Sequence, residues 1–209
     1  MTTQDKKFSH KLLTATAAVA YSVSGAAVEL LDSPRLETYY VQPGTDDIEI
    51  SSSGSITGIA GIVTAKGGSL SGYIRNYGSI LATSPQGAGI HITDQSIASD
   101  VELALSDRSG TTGPEAGTSI REISNFGSIY SQHDGIGLYG AAGLQQHPLT
   151  QLTNEGTIDV SGSADGDAAA IFASQYSFLG RIDNSGRLTS DSRLQPGASD
   201  ERMATVELR

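Results

Sequence analysis

Four histidines, His10, His91, His133 and His147, and two tight carboxylate groups, Asp46-Asp47 and Asp165-Gly166-Asp167, have the residue types that acid–base or metal chemistry needs. A histidine beside a carboxylate and a hydroxyl could activate a nucleophile, and grouped carboxylates could hold calcium. The spacing supports neither. The chain has no Gly-x-Ser-x-Gly elbow, no His-Glu-x-x-His, no Gly-x-x-x-x-Gly-Lys loop and no complete calcium-loop pattern. It also has no cysteine, which excludes thiol catalysis and cysteine-ligated zinc. His10 lies in a basic leader. His91 alternates with Ile90 and Ile92, which assigns it to the outward side of a strand. His133 and His147 read as surface-loop residues, ahead of Gly135 and Pro148. No basic residue adjoins either carboxylate group, so both read as solvated turns. No catalytic residue, cofactor site or metal site is expected.

The composition points to many short strands. Glycine occurs 25 times against 6 prolines, and charged residues make up only 17% of the 209. Glycine, serine, threonine and isoleucine in such abundance suit tight turns between half-buried strands. The net charge is −10. Lys6, Lys7 and Lys11 against Asp5 give residues 1–26 a charge of +2, leaving −12 on the remainder, where Lys66 is the only lysine. A surface of that sign repels nucleic-acid backbones, so no nucleic acid is expected as a partner.

The first 26 residues read as an address. A polar, basic stretch to Lys11 precedes an uncharged run from Leu12 to Val23, and Ser24, Gly25, Ala26 and Ala27 offer small residues for cleavage. This is the layout of a helical secretory signal peptide, and the apolar run is short for a bilayer span.

Self-comparison of the rest exposes a repeat. Ile74-Arg75-Asn76-Tyr77-Gly78-Ser79-Ile80 returns as Ile123-Ser124-Asn125-Phe126-Gly127-Ser128-Ile129, as Leu152-Thr153-Asn154-Glu155-Gly156-Thr157-Ile158 and as Ile182-Asp183-Asn184-Ser185-Gly186-Arg187-Leu188. All four asparagines of the chain occupy one motif position. A weaker copy begins at Ile50 and places Ser52 at the asparagine position and Gly54 at the glycine. The motif glycines fall at 54, 78, 127, 156 and 186, intervals of 24, 49, 29 and 30 residues. The 49 suggests two periods, with a degenerate copy near Ile92–Ile97 and a polar insert over Asp107–Ser119. Each copy is followed by a second small-residue apolar patch, as in Gly135-Ile136-Gly137-Leu138. One period therefore reads as strand, turn, strand, turn, and no stretch shows a sustained helical period.

A six-residue strand cannot bury its apolar face alone, whereas stacking it on its counterpart in the next coil satisfies the backbone and closes an interior. The expected fold is all-β, a parallel β-helix of about five to six coils. Residues 27–49 form a lead-in or cap, 50–190 the coils and 191–209 an incomplete coil or tail. Alternation turns the isoleucines inward and the variable positions outward. The asparagines either stack as a coil-to-coil amide ladder or sit at a bend, and the glycines mark a turn or a close approach. Tyr77 and Phe126 share one outward position, making a candidate face for carbohydrate or protein unless a loop such as Ser106–Ser119 covers them. Tyr130, Tyr139, Tyr176 and Phe178 also lie in or near coil strands.

In these repeated units the chain resembles the passenger domains of bacterial type V autotransporters, over about residues 50–190. That is a repeat-class likeness: "Ile-x-Asn-x-Gly-Thr-Ile" units followed by a "Gly-Ile" strand. It implies a right-handed parallel β-helix, export through the periplasm, display at or release from the cell surface, and a role in adhesion or as a stalk. It also implies an outer-membrane β-barrel translocator as partner and a host or cell-surface carbohydrate or protein as ligand. The tail from Ser190 to Arg209 is too short for a barrel of about a dozen strands, each needing roughly ten residues. The resemblance therefore implies a passenger fragment, a truncated product or a separate barrel chain. Two other readings remain. One is a secreted β-helix enzyme acting on polysaccharide, which needs Asp46, Asp47, Asp165 or Asp167 to meet an arginine in a cleft. The other is an inactive remnant.

Overall fold

The computed structural model describes residues 28–42, 45, 47–64, 72–93, 99–100, 120–139, 151–160, 168–173 and 180–190. The leader at 1–26, the tail at 191–209 and the insert at Asp107–Ser119 lie outside the described residues.

The described chain is all-β and visits three sheets in rotation. The first circuit is β1 (Val28–Leu31), β2 (Pro34–Arg35) and β3 (Tyr39–Tyr40). The second is β4 (Asp47–Ile50), β5 (Ser55–Gly58) and β6 (Ile62–Thr64), and the third β7 (Tyr73–Asn76), β8 (Ser79–Ala82) and β9 (Ile90–Thr93). The fourth is β10 (Glu122–Asn125), β11 (Ser128–Ser131) and β12 (Ile136–Tyr139). The fifth is β13 (Gln151–Asn154), β14 (Thr157–Val160) and β15 (Ile171–Ala173), and the sixth has β16 (Ile182–Asn184) and β17 (Arg187–Ser190). The sheets hold 6, 6 and 5 strands, each strand hydrogen-bonded to its counterparts in adjoining circuits. Every described pairing is parallel and in register. The arrangement is compatible with a parallel β-helix. No helix among the described residues is long and apolar enough to cross a membrane.

Registration explains the isoleucines. Ile48, Ile74, Ile123, Leu152 and Ile182 stack in the first sheet. Ile56, Ile80, Ile129, Ile158 and Leu188 stack in the second, and Ile62, Ile90, Ile136 and Ile171 in the third. The three columns pack into one core cluster. Each fully buried isoleucine contributes roughly 1.5–3 kcal/mol of apolar burial.

Four expectations change. Each of the first five circuits carries three strands rather than two, because the motif bends after its asparagine and splits between the first and second sheets. The coils also begin at Val28 and not at residue 50: β1 to β3 pair with β4 to β6, so most of the supposed lead-in is itself a circuit.

The weaker copy shifts by two residues. Ile48 pairs with Ile74 and Ile50 with Asn76, so Ile50, not Ser52, holds the asparagine position and the corner 51–54 is two residues longer than the others. Finally, no coil lies between Gly78 and Gly127. Asn125 pairs directly with Asn76, and Ile92 and Thr93 belong to β9 of the third sheet. The interval of 49 is one circuit whose connection from β9 to β10 is long.

Tyr39 stands below the third-sheet column, paired with Ile62, and is 3% exposed. Burial, and then the Glu29 carboxylate, raises its hydroxyl far above the usual value of 10.0. A raised value in the fold means that the stabilisation is fully present below pH 10 and is lost as pH rises beyond it. Between pH 9 and 12, the urea midpoint of the native chain should therefore fall more steeply than that of Tyr39→Phe. Parallel curves would show that Tyr39 ionises as easily in the fold as in the unfolded chain.

Candidate functional site

The corner between the first and second sheets is built by the asparagines. Each is the last residue of its first-sheet strand, with its side chain turned inward, and Asn76, Asn125 and Asn154 are fully buried. The Nδ2 of Asn76 donates to Asn125 Oδ1 (2.8 Å), that of Asn125 to Asn154 Oδ1 (2.7 Å) and that of Asn154 to Asn184 Oδ1 (2.7 Å). The other amide hydrogen goes to a carbonyl of the next circuit: Ser128, Thr157 or Arg187. The asparagine backbone contributes as well, since the carbonyl of Asn76 accepts from both Phe126 N–H and Gly127 N–H, and those of Asn125 and Asn154 repeat the pattern. Both sequence-level alternatives hold together: the residues form a ladder, and the ladder stands at a bend.

The glycine two residues on is required by close approach. A Cβ on Gly127 would strike the carbonyl oxygen of Gly78, and one on Gly156 that of Gly127. Gly54, Gly78 and Gly186 complete the same column. The corner is therefore spent on structure.

Between asparagine and glycine, one residue points out. Tyr77 and Phe126 occupy that place in the third and fourth circuits, 41% and 37% exposed. Their rings stack at 4.9 Å with 9° between planes, close to the roughly 4.8 Å separation of paired strands. Four residues further along, on the outward side of the second sheet, Leu81 and Tyr130 pair in register and are 40% and 44% exposed. Together these side chains make a two-by-two apolar face. The sequence reading missed Leu81 and the alignment of Tyr130 with it. The signal was alternation carried one step past the motif, since both residues follow the inward isoleucine.

The histidines differ from expectation. His91 does lie on the outward side of its sheet, yet it is 4% exposed, and His133 in its loop is 3% exposed. The outer side of the third sheet is covered. There His91 packs on Tyr139 at 4.4 Å, and Tyr139 on Phe172 at 5.4 Å. Tyr139 donates its hydroxyl proton to Asp134 Oδ2 at 2.5 Å, and the Oδ1 of Asp134 accepts from Ala169 N–H at 2.8 Å. The His133 Nε2 lies 3.5 Å from Asp134. These groups come from the third, fourth and fifth circuits. They tie neighbouring coils together, with His91, His133, Asp134 and Tyr139 buried.

Replacing Tyr139 with phenylalanine removes one donor from a buried carboxylate, at a cost of about 1–3 kcal/mol. Chemical denaturation should register that loss, and an unchanged midpoint would show that the bond is idle.

Of the carboxylates, Asp47 is buried and its Oδ1 accepts from Tyr73 N–H at 2.9 Å, a structural use. Asp46, Asp165, Asp167, His10, His147, Tyr176 and Phe178 lie outside the described residues. Among the described residues, no three histidine or acidic side chains gather to hold a metal ion. Comparison with family models, with curated proteins and with solved structures finds no match.

Proposed function

We propose that this chain is a non-enzymatic surface module, the stalk of an exported passenger of the autotransporter class, wound as a right-handed parallel β-helix of six coils. The observation that supports it best is the unbroken in-register stack with its buried asparagine ladder. Such a stack commits the inward residues to coil-to-coil contact and leaves the outward positions free to vary, which suits a scaffold. Right-handed winding follows the strong chirality of connections between parallel strands. The basic, apolar, small-residue order of residues 1–26 supports export through the periplasm to the cell surface or beyond. An outer-membrane β-barrel, on the same polypeptide or another, would then be the translocation partner. Adhesion to a cell-surface carbohydrate or protein is the role this reading assigns. The polysaccharide-enzyme reading loses Asp47 to the Tyr73 backbone.

A fusion of residues 1–30 to an alkaline phosphatase stripped of its own leader tests the exported part. The enzyme should be active in a Gram-negative host, because it folds only after export. An inactive fusion, with activity restored by a known leader, would refute it.

A further inference from the structure

The exposed face on the third and fourth circuits has a neighbour of definite charge. In the column of Tyr77 and Phe126, the fifth circuit places Glu155. In the column of Leu81 and Tyr130 it places Asp159, paired directly with Tyr130. The second circuit puts Thr57 beside Leu81, and the sixth puts Thr189 beside Asp159. Both acids therefore stand together on one side of the apolar face, with only hydroxyl residues in the flanking rows of the second column. Neither acid pairs with a described basic residue: the close ion pairs are Arg35–Glu29, Arg75–Glu122, His133–Asp134 and Arg181–Asp183. Arg187, on the sixth circuit, gives its Nε proton to Thr189 instead.

Single exposed apolar residues are ordinary, but four adjoining ones are not. The other exposed large apolar residues among those described, Val28, Leu30 and Leu36, belong to the first circuit. Ring orientation narrows the ligand. Tyr77 and Phe126 face one another along the stack, so they turn their edges to solvent. A sugar stacks on an open ring face, and this contact already occupies one face of each ring. Edges and an aliphatic side chain suit apolar side chains, and the acids beyond them suit a cation.

We propose that this face, Tyr77, Phe126, Leu81 and Tyr130 with the Glu155–Asp159 rim, docks a protein segment that carries lysine or arginine next to apolar side chains. The inference rests on the interaction-scaffold reading and names the class of partner. The apolar part supplies burial, and the acids select the partner by charge and quicken encounter.

The test uses the full chain and a short, monomeric, dye-labelled peptide with two lysines flanking two leucines, followed by fluorescence anisotropy. The peptide should bind, and binding should weaken about tenfold in Glu155→Gln/Asp159→Asn and again in Leu81→Ser/Tyr130→Ser. A control pair on the first sheet's outer side, Glu49→Gln/Asp183→Asn, should leave affinity within twofold. A counterpart peptide with glutamate for lysine should not bind. Circular dichroism checks that each variant keeps its fold. The proposal is overturned by equal loss in the control pair, which would mean diffuse attraction to an acidic protein. Absence of binding at millimolar peptide would overturn it too, as would preferential binding of a chito-oligosaccharide. The leader fusion reports on export alone, so failure of either experiment is distinguishable from failure of the other.

Discussion

Gly127→Val is expected to cost about 3 kcal/mol or more and to leave the chain without a cooperative unfolding transition. The reason is backbone, not conformation. A Cβ at this position meets the carbonyl oxygen of Gly78, with Tyr77 C at 2.8 Å and Gly78 N at 2.9 Å. None of those atoms can rotate aside as a side chain would. The same Gly78 carbonyl accepts from Ser128 N–H at 2.9 Å. Moving it to admit a side chain therefore breaks the pairing that starts β11. The neighbouring outward position provides the contrast: Ser185→Val, exposed in the sixth circuit, should shift the urea midpoint little. If Gly127→Val unfolds at the native midpoint, the close approach of the circuits is wrong.

Asn125→Asp is the second large effect, at about 3–5 kcal/mol near neutral pH. The substitution preserves size and one contact, since a carboxylate oxygen can still accept from Asn76 Nδ2. It removes the donor that Asn125 offers to Asn154 Oδ1 at 2.7 Å and to the Thr157 carbonyl at 3.2 Å. A buried negative charge would then face two acceptor oxygens with no water to intervene. The ladder has a direction, and Asn184→Asp exploits it. Asn184 accepts from Asn154 and, among the described residues, donates only to its own circuit's Gly186 carbonyl at 3.3 Å, and it is half-buried. That change should cost about 1 kcal/mol. Thermal melts of the two variants separate the cases, and equal losses would argue against a directional ladder.

How much of this could be read from the residues depends on how local each feature is. The ladder was legible because an asparagine two residues from a glycine is a fixed local mark, and all four copies obey it. The third sheet was not, because strands such as Ile136–Tyr139 follow corners of uneven length and carry only a loose pattern of small and apolar residues. The interval of 49 misled for a different reason. It happens to be near twice the shortest period, and only pairing, a non-local property, reveals that Asn76 and Asn125 are neighbours. The shifted second circuit shows the same limit: Ile50 looks like a motif start, yet the pairing of Ile48 with Ile74 makes it the ladder's aliphatic end. His91 shows that outward is not the same as exposed. Alternation placed its side chain on the correct side of the strand, but could not foresee Tyr139 lying over it. For the binding face, half was legible, since Tyr77 and Phe126 share a motif position. Leu81, Tyr130 and the acids needed the register of the second sheet.

The exposed face exists only if the third and fourth circuits are adjacent. The chain has no cysteine, so Ser79→Cys/Ser128→Cys introduces a single pair. Both residues face outward, half-buried, and they are directly paired in the second sheet. Adjacent parallel strands hold such Cα atoms about 4.8 Å apart, within the range a disulfide spans. An intervening coil would put them about 9.6 Å apart, beyond it. Mild oxidation followed by mass spectrometry under native conditions should show nearly complete loss of two hydrogens and a protein that keeps its fold. Two free thiols that stay reactive would contradict the adjacency on which the ladder, the glycine column and the docking face all rest.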